Sequence, residues 1–79
     1  PNPVQSRAVI TYDLPNESQV TLRIIDLMGR EIKPILTNTI QNPGIHEVSF
    51  NSSSLSSGLY TIQLNVAGIV HQKRIVVHK

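Results

Sequence analysis

The sequence predicts an all-β protein, an immunoglobulin-like Greek-key β-sandwich of about seven short antiparallel strands. Apolar and polar residues alternate along most of the 79-residue chain, as on strands with one buried face. Turn-forming residues interrupt this alternation roughly every ten residues, the spacing typical of sandwiches. No long stretch has the apolar spacing of a helix.

Four strands are predicted by clean alternation, and each has one apolar face. The last segment, residues 69–79, is predicted to form a further strand. Ile25 and Leu27 break the pattern, so both faces should be partly covered there. The residues expected on the inner faces are Ala8, Ile10, Tyr12 and Leu14, then Val20, Leu22 and Ile24, then His46, Val48 and Phe50, then Tyr60, Ile62, Leu64 and Val66.

Residues 31–40 give a weaker signal. They could form one or two short strands, with apolar residues at irregular intervals. Pro34 has no N–H to donate to a ladder and would be costly inside a helix. We therefore expect an edge strand or a bend.

Three turns are predicted from their residues. Asp26 and Gly29 occupy the first and last positions favoured in a type I turn. Pro43-Gly44 fits the two central positions of a type II turn, and Ala67-Gly68 can close a tight hairpin.

The loop from Ser52 to Gly58 carries one apolar residue, Leu55, among its serines. This isolated leucine should tuck under the sandwich as a plug. With Gly58 and Tyr60 it suggests a tyrosine corner, in which the Tyr hydroxyl bonds to backbone a few residues upstream. The predicted role of all three is structural.

Composition excludes several classes of function. The chain has no cysteine, so disulfides and thiolate metal sites are excluded. A net charge of +2 is too small to indicate a nucleic-acid or lipid partner. The longest apolar run, residues 66–70, cannot span a membrane. The opening Pro1-Asn2-Pro3 resembles no signal peptide, so we expect one domain, residues 1–79, excised from or ending a longer protein.

No catalytic, cofactor or metal site is predicted. His71 and His78 should point to opposite faces of a strand, and no histidine pair has ligand spacing. His46 shares a face with Val48 and Phe50, so it should be partly buried and bonded to a carbonyl. Carboxylates are sparse, and Asp13 and Asp26 sit beside turns, where they normally bond local backbone.

The C-terminal segment, residues 72–79, allows two interpretations. It could be a final strand held in the sandwich, with solvated charges that protect the sheet edge. Alternatively, it could be a strand presented to a partner through its side chains or by strand addition.

These features, in this order and spacing, resemble the C-terminal sorting domain of the type IX (Por) secretion system in its type A form. Lys73 and Lys79 resemble the terminal lysines of the family, and Ile25 departs from it, standing where an aromatic is frequent. The other matching segments are Pro1-Asn2-Pro3, Tyr12 to Pro15, Val20 to Gly29 with Asp26 and Gly29, Gly44 to Val48 with His46, and Leu55 to Tyr60 with Leu64.

The resemblance implies a sorting signal without catalytic activity or cofactor. Such domains end cargo proteins of Bacteroidetes-type bacteria, and the cargo may itself be an enzyme. The outer-membrane translocon recognises the folded domain after periplasmic transit. A sortase at the cell surface commonly removes it, and the cargo is displayed or secreted. The partners implied are translocon, shuttle and sortase proteins and an N-terminal cargo domain, with no nucleic acid and no membrane insertion.

We expect translocon recognition to involve the last strand and the hairpin before it. The residues assigned to that contact are Leu55, Gly58, Tyr60, Leu64, Lys73, Ile75, Val77 and Lys79. Unpaired edge strands could also pair between copies and give a homodimer.

An alternative of another class is a structural or adhesion module, like the immunoglobulin-like domain of flagellar hook-capping proteins, which would stay attached to its parent. A carbohydrate-binding module is disfavoured, because such sites generally use exposed aromatic side chains and none is predicted.

Overall fold

The computed structural model describes residues 7–53 and 55–77. Within those ranges the chain forms six strands and no helix. The strands are β1 (Arg7–Leu14), β2 (Ser18–Asp26), β3 (Glu31–Gln41), β4 (Gly44–Asn51), β5 (Gly58–Val66) and β6 (Ile69–Val77).

The strands form two antiparallel sheets. One contains β1 and β4, and the other has the order β3-β2-β5-β6. The chain moves between the sheets after β1, β3 and β4, whereas β2–β3 and β5–β6 are hairpins within one sheet. This all-β architecture is consistent with the predicted immunoglobulin-like sandwich.

The alternation correctly predicted which side chains face inward. Val20, Leu22 and Ile24 of β2 are completely buried, because β2 lies inside the four-stranded sheet and its inner face is covered. Full burial of such a side chain contributes about 1.5–3 kcal/mol. Phe50 is buried on the facing sheet.

Residues 31–41 form one long strand, which resolves the open choice between one and two. β3 lies at the edge of its sheet, as Pro34 indicated. Its pairing with β2 is irregular around Leu22, and Pro34 lies opposite Arg23. An edge position tolerates the missing N–H of Pro34 because no described strand pairs with the outer side of β3.

The expectation for Leu27 was wrong. Ile25 is partly covered, but Leu27 belongs to the turn after β2 and is 68% exposed. The alternation fails there because the strand ends at Asp26, so Leu27 has no sheet behind it.

Candidate recognition surface

The hairpin of β5 and β6 brings most of the predicted contact residues together. Register pairs Gly58 with Val77 and Tyr60 with Ile75, while Leu64 lies opposite His71. β6 is the last strand of its sheet and has a free edge among the residues that the structure describes. Lys79 lies outside the described residues, as do Pro1, Asn2 and Pro3.

The predicted contact residues differ in how exposed they are to a partner. Leu55 and Tyr60 are buried, so they act through the shape of the loop and hairpin. Leu64, Ile75 and Val77 are half-buried, and Gly58 and Lys73 are exposed. Lys73 is therefore the one charged side chain of the described contact set that a partner could reach directly.

The loop before β5 is held by Leu55 and Tyr60, as the sequence predicted. The Tyr60 hydroxyl donates a hydrogen bond of 2.7 Å to the carbonyl oxygen of Ser56. Leu55 is 3% exposed and packs with Ile24, Phe50 and Tyr60. The plug and the tyrosine corner are both confirmed, and together they fix where β5 begins.

The turn between β2 and β3 is organised by Asp26. Its Oδ1 accepts hydrogen bonds of 2.9 Å from the backbone N–H groups of Met28 and Arg30. Its Oδ2 accepts one of 3.0 Å from Nε of Arg30. The N–H of Gly29 donates to the Asp26 carbonyl at 3.0 Å, and Gly29 has a φ of 84°.

These contacts stabilise the ionised form of Asp26. Hydrogen bonding to Arg30, first of all from its backbone N–H, lowers the pKa of the Asp26 carboxyl below its ordinary value. The Asp-x-x-Gly segment is thus a preformed turn. It leaves Leu27 and Met28 largely exposed at its tip.

The segment around Gly44 and His46 joins the two sheets at one end of the molecule. A ring N–H of His46 donates to the carbonyl oxygen of Asn42 at 2.7 Å, as expected of a partly buried histidine. The His46 ring stacks on Tyr12, its neighbour across the sheet, with 5.7 Å between centroids. The Tyr12 hydroxyl donates to Gln41, and burial raises the pKa of Tyr12.

A groove between β1 and β6 was not predicted. Three adjoining openings run along it, of about 520, 280 and 280 Å³. Tyr12 and Leu64 line both the first and the second opening, and Ile10 and Ile75 line both the second and the third. We call this the β1–β6 groove. In the described residues it lies where a two-stranded sheet faces a four-stranded one, and no local residue pattern encodes that arrangement.

Neither a cluster of metal-binding side chains nor a membrane-spanning helix occurs in residues 7–53 and 55–77. In those ranges no three His, Asp or Glu side chains come close enough to share an ion. They also contain no helix with the length and apolarity to cross a bilayer.

The two-sheet fold and the exposed strand β6 are consistent with a small immunoglobulin-like module that has a free sheet edge in its described residues. The chain belongs to the family described as the secretion system C-terminal sorting domain, whose model matches residues 1–78. This match confirms the resemblance to type IX sorting domains. Comparisons with curated proteins and with solved structures gave no significant match.

Membership of the family defines the general role. The chain is a sorting signal for type IX secretion rather than a catalyst. Its cargo is therefore exported to the cell surface or secreted.

Proposed function

We propose that residues 1–79 act as one unit that directs an N-terminal cargo across the outer membrane through the type IX translocon. The observation that carries this proposal is the family match over residues 1–78. The cargo first enters the periplasm by a separate N-terminal signal. A cell-surface sortase then removes the domain, which is released.

The geometry supports recognition of the folded domain at β6. A strand at the end of a sheet presents one row of backbone N–H and C=O groups without strand partners. Lys73 adds an exposed charge in the middle of that strand. Leu55 and Tyr60 hold the adjoining loop and hairpin in place, so the translocon meets a preformed surface.

Export is tested by fusing the chain to a fluorescent reporter that carries a periplasmic signal, in a type IX-competent host. We expect fluorescence at the surface or in the medium, and periplasmic retention in a host without the translocon. Retention in the competent host would contradict the proposal. Loss of the domain from the exported reporter, measured by mass spectrometry, tests sortase cleavage. A domain that stays attached would favour the adhesion-module alternative.

The role of the last strand is tested by deleting residues 72–79 from the same fusion. We expect export to be lost. Because the deletion removes most of β6 from its pairing with β5, folding of the variant is checked by circular dichroism. Normal export of the truncated fusion would refute a role for this strand.

Pairing between copies is a separate proposal about the free edges. β1, β3, β4 and β6 each have one side without a strand neighbour in the described ranges. We propose that two copies form a homodimer through such an edge. Sedimentation of the isolated domain should show a concentration-dependent dimer, and a strictly monomeric domain would contradict it.

A further inference from the structure

In the part of the chain that the structure describes, the two sheets of the sandwich are unequal, so one face is only partly covered. The sheet of β1 and β4 has two strands, and the facing sheet has four. By register, Ile69, His71 and Lys73 lie on the same face as the core residues of β5. Nevertheless all three are exposed, and Ile69 is 64% exposed. Within residues 7–53 and 55–77, therefore, no strand covers the inner face of β6 along most of its length.

The β1–β6 groove is the space that such a strand would leave. It extends from Ile69 at one end to Val77 at the other, the whole length of β6. Nine residues of extended chain cover about 30 Å. Apolar side chains of β1 and β5, among them Ile10, Ile62 and Leu64, line the middle of the groove.

The backbone of β6 is arranged to receive a strand. Ala67 and Gly68 form a two-residue hairpin loop with φ values of 51° and 87°, as in a type I′ turn. In such a hairpin the flanking residues, Val66 and Ile69, are hydrogen-bonded to each other. Hydrogen-bonded pairs alternate along an antiparallel ladder. The N–H and C=O groups of Val70, Gln72, Arg74 and Val76 therefore point to the free edge.

The charge of the groove specifies the chemistry of its occupant. In its middle opening the titratable groups other than Tyr12 are His71 and Lys73, and no carboxylate lines it. Asp13 lies at the wider end. Opposite charges facing each other across two strands are favourable. An occupant should therefore carry a carboxylate opposite Lys73 and apolar side chains opposite Ile69, Ile75 and Val77.

We propose that β6 accepts an extended acidic–apolar segment of a partner protein as a fifth, antiparallel strand of the larger sheet. The inward side chains of this segment fill the β1–β6 groove, and its carboxylate pairs with Lys73. This inference rests on the proposed function, since it assigns the segment to a component of the type IX machinery. It names the chemistry by which that component recognises the domain.

A second copy of the chain is a poorer occupant of this edge. Antiparallel pairing of two β6 strands would bring Lys73 and Arg74 of both copies into one short stretch. Like charges facing each other across strands are destabilising. Self-association, where it occurs, should therefore use another edge.

Binding is tested with the full 79-residue chain and a synthetic nine-residue peptide carrying a fluorophore. The peptide has valine opposite Ile69, Ile75 and Val77, glutamate opposite Lys73, and threonine elsewhere. Fluorescence polarisation should show saturable binding of this peptide. A peptide with lysine in place of glutamate should bind more weakly, by up to about fivefold. No binding at about 1 mM peptide, the weak end of specific association, would overturn the proposal.

Hydrogen exchange locates the bound peptide. Amides of Val70, Gln72, Arg74 and Val76 should become protected, because they gain partners only when a strand is added. Their neighbours Lys73 and Ile75 should change little, since their amides already face β5. Protection at β3 or β4 instead of β6 would overturn the assignment. A chain dimer that protects β6 without peptide would show that a second copy is the occupant.

Two charge variants form a matched pair. Lys73→Glu and Arg74→Glu change the net charge equally on adjacent residues of β6, but only Lys73 lines the groove. Lys73→Glu should reverse the preference, so that the lysine peptide binds more tightly than the glutamate peptide. Arg74→Glu should keep the original order. The same preference in both variants would refute the pairing with Lys73.

A backbone variant tests strand addition without changing charge. Gln72→Pro removes an N–H that faces the free edge and leaves the β5 ladder intact, which is where strands tolerate proline. The variant should melt cooperatively yet bind the glutamate peptide about two- to tenfold more weakly, as expected when a ladder hydrogen bond is lost. Undiminished binding by the folded variant would contradict strand addition.

The same three variants in the reporter fusion separate this inference from the proposed function. Lys73→Glu and Gln72→Pro should reduce export, and Arg74→Glu, which keeps the backbone groups of β6 and changes a side chain outside the groove, should reduce it less than Lys73→Glu. If the wild-type fusion is not exported, the proposed function fails, whatever the peptide binding shows. If the wild type and Gln72→Pro are exported equally, the inference fails and the sorting function stands.

Discussion

Replacing Leu55 with alanine removes an apolar plug whose neighbours cannot easily close the gap. Leu55 is 3% exposed and packs against Ile24, Phe50 and Tyr60, each held in or beside a strand. Leucine-to-alanine changes at such sites cost about 2.7–5 kcal/mol, because the lost transfer energy is increased by a residual cavity. We expect Leu55→Ala to fall in this range.

That loss is large for a chain of this size. Domains have roughly 0.05–0.15 kcal/mol of stability per residue, so 79 residues correspond to about 4–12 kcal/mol in total. The variant should therefore lose about a quarter of its stability or more. Its Tm should fall by at least roughly 10 °C, at about 4–8 °C per kcal/mol.

Urea and thermal unfolding, followed by far-ultraviolet circular dichroism, measure this change. Leu27→Ala is the matched control, because it deletes the same atoms from a side chain that is 68% exposed. The control should change stability by no more than about 0.5 kcal/mol. A loss below about 1 kcal/mol for Leu55→Ala, or equal losses in both variants, would refute the assignment of Leu55 to the core.

Three further perturbations test the corner and the Asp26 turn. Tyr60→Phe removes the hydroxyl that donates to Ser56, and should lower the free energy of unfolding in urea by about 1 kcal/mol. The control is Tyr12→Phe, which removes a hydroxyl bonded to a side chain. An equal or smaller loss in Tyr60→Phe than in this control would contradict the tyrosine corner. Gly29→Ala should lower the free energy of unfolding by about 1 kcal/mol, because Gly29 has a φ of 84°, which alanine adopts only with strain. No neighbouring atom adds a steric clash, since the space beside Gly29 is open. Unchanged stability would show that the turn adapts to alanine. Asp26 has a pKa lowered below its ordinary 3.8, so its contribution to stability is complete above that value and is lost as the pH falls through the lower, folded-state pKa. Below about pH 4, the free energy of unfolding should therefore fall more steeply with decreasing pH in the wild type than in Asp26→Asn. Identical slopes would contradict a lowered pKa for Asp26.

Local sequence patterns determined much of this protein. Alternation identified the inner faces of β1, β2, β4 and β5, because successive side chains on a strand must point to opposite sides. The plug at Leu55 and the corner at Tyr60 could be predicted, since a single leucine among serines is expected to be buried against the sandwich. The turn at Asp26 and Gly29 could also be predicted, because its hydrogen bonds are local.

Tertiary structure decided what depends on distant parts of the chain. The pattern at Leu27 was misleading, because only the end of β2 at Asp26 determines whether a sheet lies behind that residue. The exposure of Ile69 and Lys73 also could not be predicted, because the sequence of β6 does not distinguish a covered inner face from an uncovered one. Whether that face is covered depends on the placement of β1, more than fifty residues earlier in the chain. The β1–β6 groove exists because, among the described residues, two strands face four, and this is a property of the assembled sheets that no single strand encodes.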